Sequence, residues 1–412
     1  MTQPTREYDV VVYGATGFAG ALVARHLAAH APAGARLALA GRSETKLTRI
    51  RAELGVDWPI VVADASDEPA LARLAASTRV VVTTVGPYLK YGRALVAACA
   101  AAGTDYADLT GEVLFVRDSI DANHDLARRT GARIVHACGF DSIPSDIGVH
   151  VLDRQVKADQ AGDLTTTTLV VTSLRGGMSG GTIGTIRNQA EELKKDRARR
   201  RIAASPYSLS PDRAAEPDLG RQSDMLTVPG AEVDPSLRGS LAPFFMASFN
   251  TRIVRRSNAL RGWSYGRAFR YRETMSVGTS PLSPLLAGAL KLGLGAAMVG
   301  LAVTPPAILD RILPDPGTGP SERTRASGHF TVDVFTVTTT GVRYRSRVRA
   351  QGDPGYAATA VMLGESALAL AFDRDALPPS EGGVLTPATA MGDALVDRLR
   401  GAGLTITATR AG

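Results

Sequence analysis

Short apolar runs alternate with amphipathic stretches over the first 150 residues. Strand-like segments fall at residues 8–13, 36–40, 59–63, 79–84 and 133–136, and Gly14, Gly41, Asp64, Gly86 and Gly139 follow them in turn. Between the first two, Phe18-Ala19-Gly20-Ala21-Leu22-Val23-Ala24-Arg25-His26-Leu27 carries apolar positions at helical spacing. Strand, helix, strand in this rhythm predicts a parallel sheet covered on both faces, and ligands of such sheets sit at the carboxyl ends of the strands. The expected class is α/β, a Rossmann-type doubly wound domain over residues 1–150.

The pattern changes after residue 150. Thr165-Thr166-Thr167-Thr168-Leu169-Val170-Val171-Thr172 is rich in β-branched residues, and Phe330–Thr338 alternates apolar and polar before Gly341 and a further run at Val342–Arg349. These predict a second, α+β domain with a largely antiparallel sheet, its last two strands forming a hairpin. A mixed-charge helix is expected from Thr182 to about Ile202, an irregular Pro- and Asp-rich passage over Ala203–Pro243, and helices at Tyr356–Phe372 and Pro387–Arg400, the latter capped by Thr386. The second domain is placed at 151–385. Residues 386–412 are expected to pack back on the first domain as a helix and a strand.

The turn after the first strand reads Gly14-Ala15-Thr16-Gly17-Phe18-Ala19-Gly20. In this setting Gly14 permits the tight turn, Gly17 lets backbone N–H groups approach a pyrophosphate, and Gly20 lets the helix pack close to the sheet. The helix start adds orphan N–H groups and its positive dipole end. After the second strand comes Gly41-Arg42-Ser43, without the acidic residue that receives a ribose 2′-hydroxyl. A guanidinium and a hydroxyl suit a 2′-phosphate, so NADP(H) is favoured over NAD(H). The expected cofactor-binding set is Gly14, Thr16, Gly17, Phe18, Gly20, Arg42, Ser43, Asp64, Gly86 and Pro87.

Two cysteines, Cys99 and Cys138, give no disulfide framework, and the six histidines show no metal-ligand spacing. The polar start leaves no room for a secretory signal, so a cytoplasmic protein is expected. Net charge is +7. Seven arginines crowd residues 252–272 among Trp263, Tyr265, Phe269 and Tyr271, ahead of the apolar segment 281–313, whose stretch Leu292–Leu309 is uncharged. Basic, aromatic and apolar residues together suggest peripheral contact with the inner face of the plasma membrane or with a lipid substrate, rather than with nucleic acid. Core packing or a homodimer interface is the other use of that segment, and its glycines and Pro305-Pro306 make it a poor membrane span.

Three residues are candidates for chemistry. Tyr88, in Val85-Gly86-Pro87-Tyr88 after the fourth strand, offers a phenol as proton donor. Asp141 and Ser142, in Cys138-Gly139-Phe140-Asp141-Ser142-Ile143-Pro144-Ser145-Asp146, could position substrate or relay a proton, although this segment also suits a helix start. Thr110 and Glu112 read as helix-capping residues. Gly176–Thr182 could present backbone N–H groups to a thioester oxygen or phosphate, or serve as a plain loop.

With these motifs, and with Gly176-Gly177-Met178-Ser179-Gly180-Gly181-Thr182 and Gly382-Gly383-Val384-Leu385-Thr386-Pro387, the chain resembles the saccharopine dehydrogenase-like oxidoreductases, and within them the actinobacterial trans-acting enoyl reductases of complex lipid synthesis. The resemblance implies an NADPH-dependent reductase of a carbon–carbon double bond in an acyl or polyketide thioester held on the carrier domain of a separate synthase. Two readings compete with it: a reductase of a soluble amino-acid adduct, and a noncatalytic NADP-binding protein of the membrane surface.

Overall fold

The computed structural model describes residues 6–176, 192–193, 196–303 and 320–411. Its strands are β1 (Tyr8–Tyr13), β2 (Leu37–Gly41), β3 (Ile60–Val62), β4 (Thr78–Thr83), β5 (Asp105–Asp108), β6 (Arg133–Val135), β7 (Leu164–Arg175), β8 (Val228–Pro229), β9 (Ser240–Pro243), β10 (Arg270–Ser276), β11 (His329–Thr338), β12 (Arg343–Gln351), β13 (Gly383–Leu385) and β14 (Thr405–Arg410). The first sheet runs β13-β6-β5-β4-β1-β2-β3 with every pairing parallel. Strands β1 and β4 lie side by side where the winding reverses, which is where a doubly wound sheet holds its ligand. Strands β1, β2 and β4 are apolar and almost wholly buried because helices cover both faces.

The second sheet runs β14-β12-β11-β7-β10-β9-β8. Only β7 with β10 is parallel; the other neighbours are antiparallel, and β11 with β12 forms the expected hairpin. Part of the passage expected to be irregular supplies β8, β9 and the turn of helix Gly230–Val233.

The tail does not divide at residue 386. Strand β13 extends the nucleotide-type sheet beside β6, and helix Ala357–Phe372 packs on β1, β4 and β5. Apart from Thr359, Glu365 and Ser366 this helix is apolar, and it is buried along most of its length, as a cover for a parallel sheet must be. It lies tight on helix Phe18–His30: a Cβ on Gly364 would sit 2.5 Å from the His26 ring, and His26 Nε2 meets Glu365 Oε1 at 2.8 Å. The last strand, β14, joins the second sheet against β12 instead of returning to the first. Two edges otherwise left bare, β6 and β12, are thereby each covered by the chain's end.

Three of the seven arginines expected to form a membrane-facing basic flank are interior, whereas Arg267 and Arg270 are exposed. Arg252, Arg255 and Arg256 sit on helix Ala247–Leu260 with 3%, 5% and 1% of their surface exposed. Arg252 pairs with Asp224; Arg255 donates to the carbonyls of Pro206 (3.2 Å) and Tyr271 (2.8 Å); Arg256 donates to those of Leu209 and Val384. The passage from Ser205 to Thr227 has no strand ladder of its own, so its carbonyls need donors, and the guanidinium forks supply them. Tyr265, Phe269 and Tyr271 are core residues.

The apolar segment begins as helix Ser283–Val303, with Leu285 and Leu292 72% and 76% exposed. Among the described residues no helix is long and apolar enough to cross a membrane. Residues 304–313 of that segment, most of the helix expected from Thr182, and the loop 177–182 lie outside the described residues.

Candidate functional site

The three glycines of the first turn are needed for different reasons. Gly14 has φ +89°, and a Cβ there would stand 2.6 Å from Val85 Cγ2. A Cβ on Gly20 would lie 2.1 Å from the Gly14 carbonyl oxygen. The fold itself therefore demands both. Gly17 has ordinary dihedrals (φ −81°), and its nearest neighbour would be 3.4 Å away. It is exposed, it opens helix Phe18–His30, and no side chain caps that helix. A glycine the protein does not need, beside uncapped N–H groups, fits a phosphate cradle.

Around this turn stand the other cofactor candidates. Thr16 is half-buried beside Gly17. The Phe18 ring meets Tyr356 edge-on at 4.7 Å and lies 5.1 Å from the Arg325 guanidinium, so residues distant in sequence close over the turn. Arg42 is exposed at the end of β2, and its charge acts on Asp64 at the end of β3. Ser43 accepts from the Lys46 N–H at 3.4 Å as the cap of helix Glu44–Leu54, leaving its hydroxyl proton free to donate. Asp64 is turned onto its own loop, accepting from Ser66 N (2.9 Å) and Oγ (2.6 Å), and these bonds hold its carboxyl below the usual range. Gly86 is exposed at the end of β4, and its bond to Pro87 is cis. Thr84 Oγ1 reaches the Gly14 carbonyl at 3.4 Å, tying the β4 loop to the glycine turn.

Tyr88 is not placed as the sequence suggested. Its ring is 4% exposed; its hydroxyl donates to the Thr83 carbonyl at 3.2 Å and accepts from the Leu109 N–H at 3.1 Å. Burial, with Asp108 adding, pushes the phenol well above 10. The tyrosine pins the end of β4 to the end of β5, with no proton left to offer. Glu112 caps the helix Tyr88–Tyr91, accepting from the N–H groups of Tyr88 and Leu89 at 2.8 Å each.

Ser142 is likewise inward, fully buried and donating to Asn250 Oδ1 at 3.0 Å. Asn250 Nδ2 donates to Glu273 Oε2 at 2.9 Å, and the Tyr271 hydroxyl to Glu273 Oε1 at 2.9 Å. This chain of polar groups joins the β6 loop to helix Ala247–Leu260 and β10. Sequence reading passed over Asn250 and Glu273 because a polar residue in a helix and an acid in a strand look like surface positions until the partners are seen.

Asp141 differs from both. It follows β6 at the carboxyl edge of the sheet, only half-buried, with no side-chain partner among the described residues. One oxygen lies 3.8 Å from where a Gly111 Cβ would stand, so the β5 loop is bare beside it. Desolvation pushes its carboxyl up to about 7, with the charge of Asp108 adding. Of the three candidates it is the one that can be protonated near neutrality and keeps some exposure at the carboxyl edge of the sheet.

A second group comes together only in the fold. Asp108 Oδ2 contacts His136 Nδ1 at 2.7 Å, and His136 Nε2 meets Ser119 Oγ at 2.8 Å. This is the connectivity of a hydrolytic triad, but Ser119 is 3% exposed and His136 1%. No substrate reaches the hydroxyl, so the chain is a brace. The described residues hold no cluster fit for a metal ion.

The fold and the turn define a dinucleotide-dependent oxidoreductase, and comparison with known proteins narrows the class. The saccharopine dehydrogenase NADP binding domain family matches residues 10–135. A trans-acting enoyl reductase of Mycobacterium bovis (BCG) is 51% identical across 100% of both chains, and one of Mycobacterium ulcerans 49% identical across 100% of both. Saccharopine dehydrogenase (L-Glu forming) of Saccharomyces cerevisiae superposes with a TM-score of 0.53 at 13% identity, covering 98% of this chain and 99% of that one, a likeness of fold. The chain belongs to the trans-acting enoyl reductase family, on an NADP-binding domain of the saccharopine dehydrogenase type.

Proposed function

We propose that the chain is an NADPH-dependent enoyl reductase that acts on an acyl or polyketide thioester carried by another polypeptide, and that Asp141 is its proton donor. The full-length similarity to relatives of that name supports the reaction, and the raised carboxyl of Asp141, with no side-chain partner among the described residues, supports the role. NADPH, when bound, supplies the hydride that adds to the β-carbon of the enoyl group. Gly17 and the uncapped helix start hold the pyrophosphate, and Arg42 with Ser43 hold the 2′-phosphate. Asp141 gives its proton from Oδ to the α-carbon, is left as carboxylate and recovers a proton from water. Asn250, held by Glu273, accepts from the Ser142 hydroxyl and so anchors the residue next to Asp141.

Single-turnover oxidation of NADPH with an enoyl thioester tests this. Wild-type protein reduces the double bond, and Asp141→Asn slows the step about 100-fold or more while NADPH binding is kept. An Asn variant that reduces the thioester at the wild-type rate removes Asp141 from the mechanism.

A further inference from the structure

Helix Ser283–Val303 rests on the body of the protein by a narrow face. Ala287 is fully buried, and the Ser283 hydroxyl accepts from the Ser240 N–H of β9 at 3.1 Å. The opposite face starts at Leu282, whose carbonyl takes the Leu286 N–H, and carries Leu282, Leu285, Leu286, Ala289, Leu292 and Ala296 at helical spacing, all of them exposed. Among the described residues six large apolar side chains are exposed, and four of the six are these leucines, at 51% to 76%. They form one ridge, not a scatter, and a contiguous apolar ridge marks a surface that something covers.

The flank of the ridge is cationic. Lys291, the one charged residue in the helix sequence, stands about 100° round the axis from Leu292. It lines a cleft with Arg221, Arg270 and Arg272, and no carboxylate belongs to that lining. Arg221, Arg270 and Lys291 are exposed, and half-buried Arg272 donates from Nε to Thr168 Oγ1 at 2.8 Å. Among the described residues none of these four makes an ion pair, whereas Arg252, Arg347 and Arg398 each meet an aspartate. Glu232 is the acid whose charge acts on Arg272.

An apolar ridge with cations on its shoulder matches a bilayer surface in depth as well as in charge. A helix is about 10 Å across, and one lying in the interface sinks its apolar face about 5–10 Å, to the boundary of the acyl chains. Cations on the shoulder then stand at the level of the phosphates, and long basic side chains reach them. Among the described residues no helix is long and apolar enough to cross a membrane, so this contact is peripheral. A second copy seated on the ridge would instead bring four more unpaired cations to it.

We propose that the leucine ridge of helix Ser283–Val303 docks on an anionic bilayer, with Arg221, Arg270, Arg272 and Lys291 at its phosphate headgroups. The proposal stands apart from the reaction assigned above, because it uses no residue of the glycine turn or of the Asp141 loop.

The full chain is sedimented with vesicles of phosphatidylglycerol and phosphatidylcholine in equal parts, and with vesicles of phosphatidylcholine alone. At low salt wild-type protein is expected to partition about tenfold or more in favour of the anionic vesicles, and to lose most of that preference as salt is raised. Leu285→Gln/Leu292→Gln changes two exposed side chains with little packing to lose; binding is expected to fall about tenfold, with melting temperature and NADPH affinity unchanged. Arg270→Gln/Lys291→Gln is expected to bring the anionic vesicles to within about threefold of the neutral ones. Wild-type protein that stays in the supernatant or binds the two vesicles alike overturns the proposal, and so does vesicle binding that the leucine variant keeps. Sedimentation velocity without lipid reads the other occupant: a wild-type dimer that Leu285→Gln/Leu292→Gln turns into a monomer gives the ridge to a second copy and overturns the bilayer. None of these readouts uses the reduction, so a failure of the enoyl reductase reading leaves them standing.

Discussion

Asp108 Oδ2 sits 2.7 Å from His136 Nδ1 and also receives the Tyr106 hydroxyl at 2.9 Å, while Oδ1 takes the backbone N–H groups of Thr110 and Ala137 at 3.0 Å each. One buried carboxylate thus gathers the loops after β5 and β6. Asp108→Ala is expected to cost about 3–5 kcal/mol in chemical denaturation, since it leaves buried donors without an acceptor. Ser119→Ala should cost about 1 kcal/mol and leave NADPH-dependent reduction intact. An inactive, well-folded Ser119→Ala variant would restore a catalytic role to the chain of three.

Tyr88→Phe removes two hydrogen bonds of a buried hydroxyl and leaves Asp141 in place. The expected loss is about 1–3 kcal/mol of stability, with the reduction rate within a few-fold of wild type at a temperature where both are folded. Stopped-flow NADPH oxidation beside a urea titration separates the two effects.

The contrast between Tyr88 and Asp141 shows how far the sequence could be read. Strand ends and the glycine turn are local patterns, and β1, β2, β4 and the hairpin β11–β12 fall where periodicity puts them. Which of two strand-end side chains turns outward depends on neighbours across the sheet: the Leu109 N–H claims the Tyr88 hydroxyl, and the glycine at 111 leaves room beside Asp141. Strand β13, three residues long, has no periodicity to find, and its place is visible only through its pairing with β6.

The raised carboxyl of Asp141 has two consequences with pH. As a donor it must be protonated, so the reduction rate should fall as pH rises through about 7. Its folded-state pKa lies above the value of about 3.9 expected for an unfolded Asp, so between these values the folded state holds more protons and stability declines as pH rises. In Asp141→Asn that decline should flatten. A pH–rate profile without the limb near 7, with the stability slope unchanged in the variant, would exclude the shift.

Gly17 and Gly20 should separate folding from binding. Gly20→Ala puts a Cβ against the Gly14 carbonyl and is expected to destabilise by several kcal/mol or prevent expression. Gly17→Ala meets only ordinary contact at 3.4 Å, so its melting temperature should stay near that of wild type. NADPH affinity should nonetheless fall about tenfold or more, because the methyl occupies the space a pyrophosphate needs. Fluorescence titration of NADPH against each variant checks this, and undiminished affinity in Gly17→Ala would move the phosphates away from this turn.

Arg256 carries the last contrast, between a basic surface and a basic interior. Its guanidinium is buried, and burial lowers its pKa to about 9, yet it joins the carbonyls of Leu209 and Val384 from two distant parts of the chain. Val384 belongs to β13, so the arginine also anchors the outermost strand of the first sheet. Arg256→Met keeps the volume and removes the donors; the expected cost is about 2–4 kcal/mol, with protection of β13 amides against hydrogen exchange reduced first. The variant should leave any affinity for anionic vesicles unchanged, because the side chain does not reach the surface. A loss of vesicle binding in folded Arg256→Met would return this segment to the membrane.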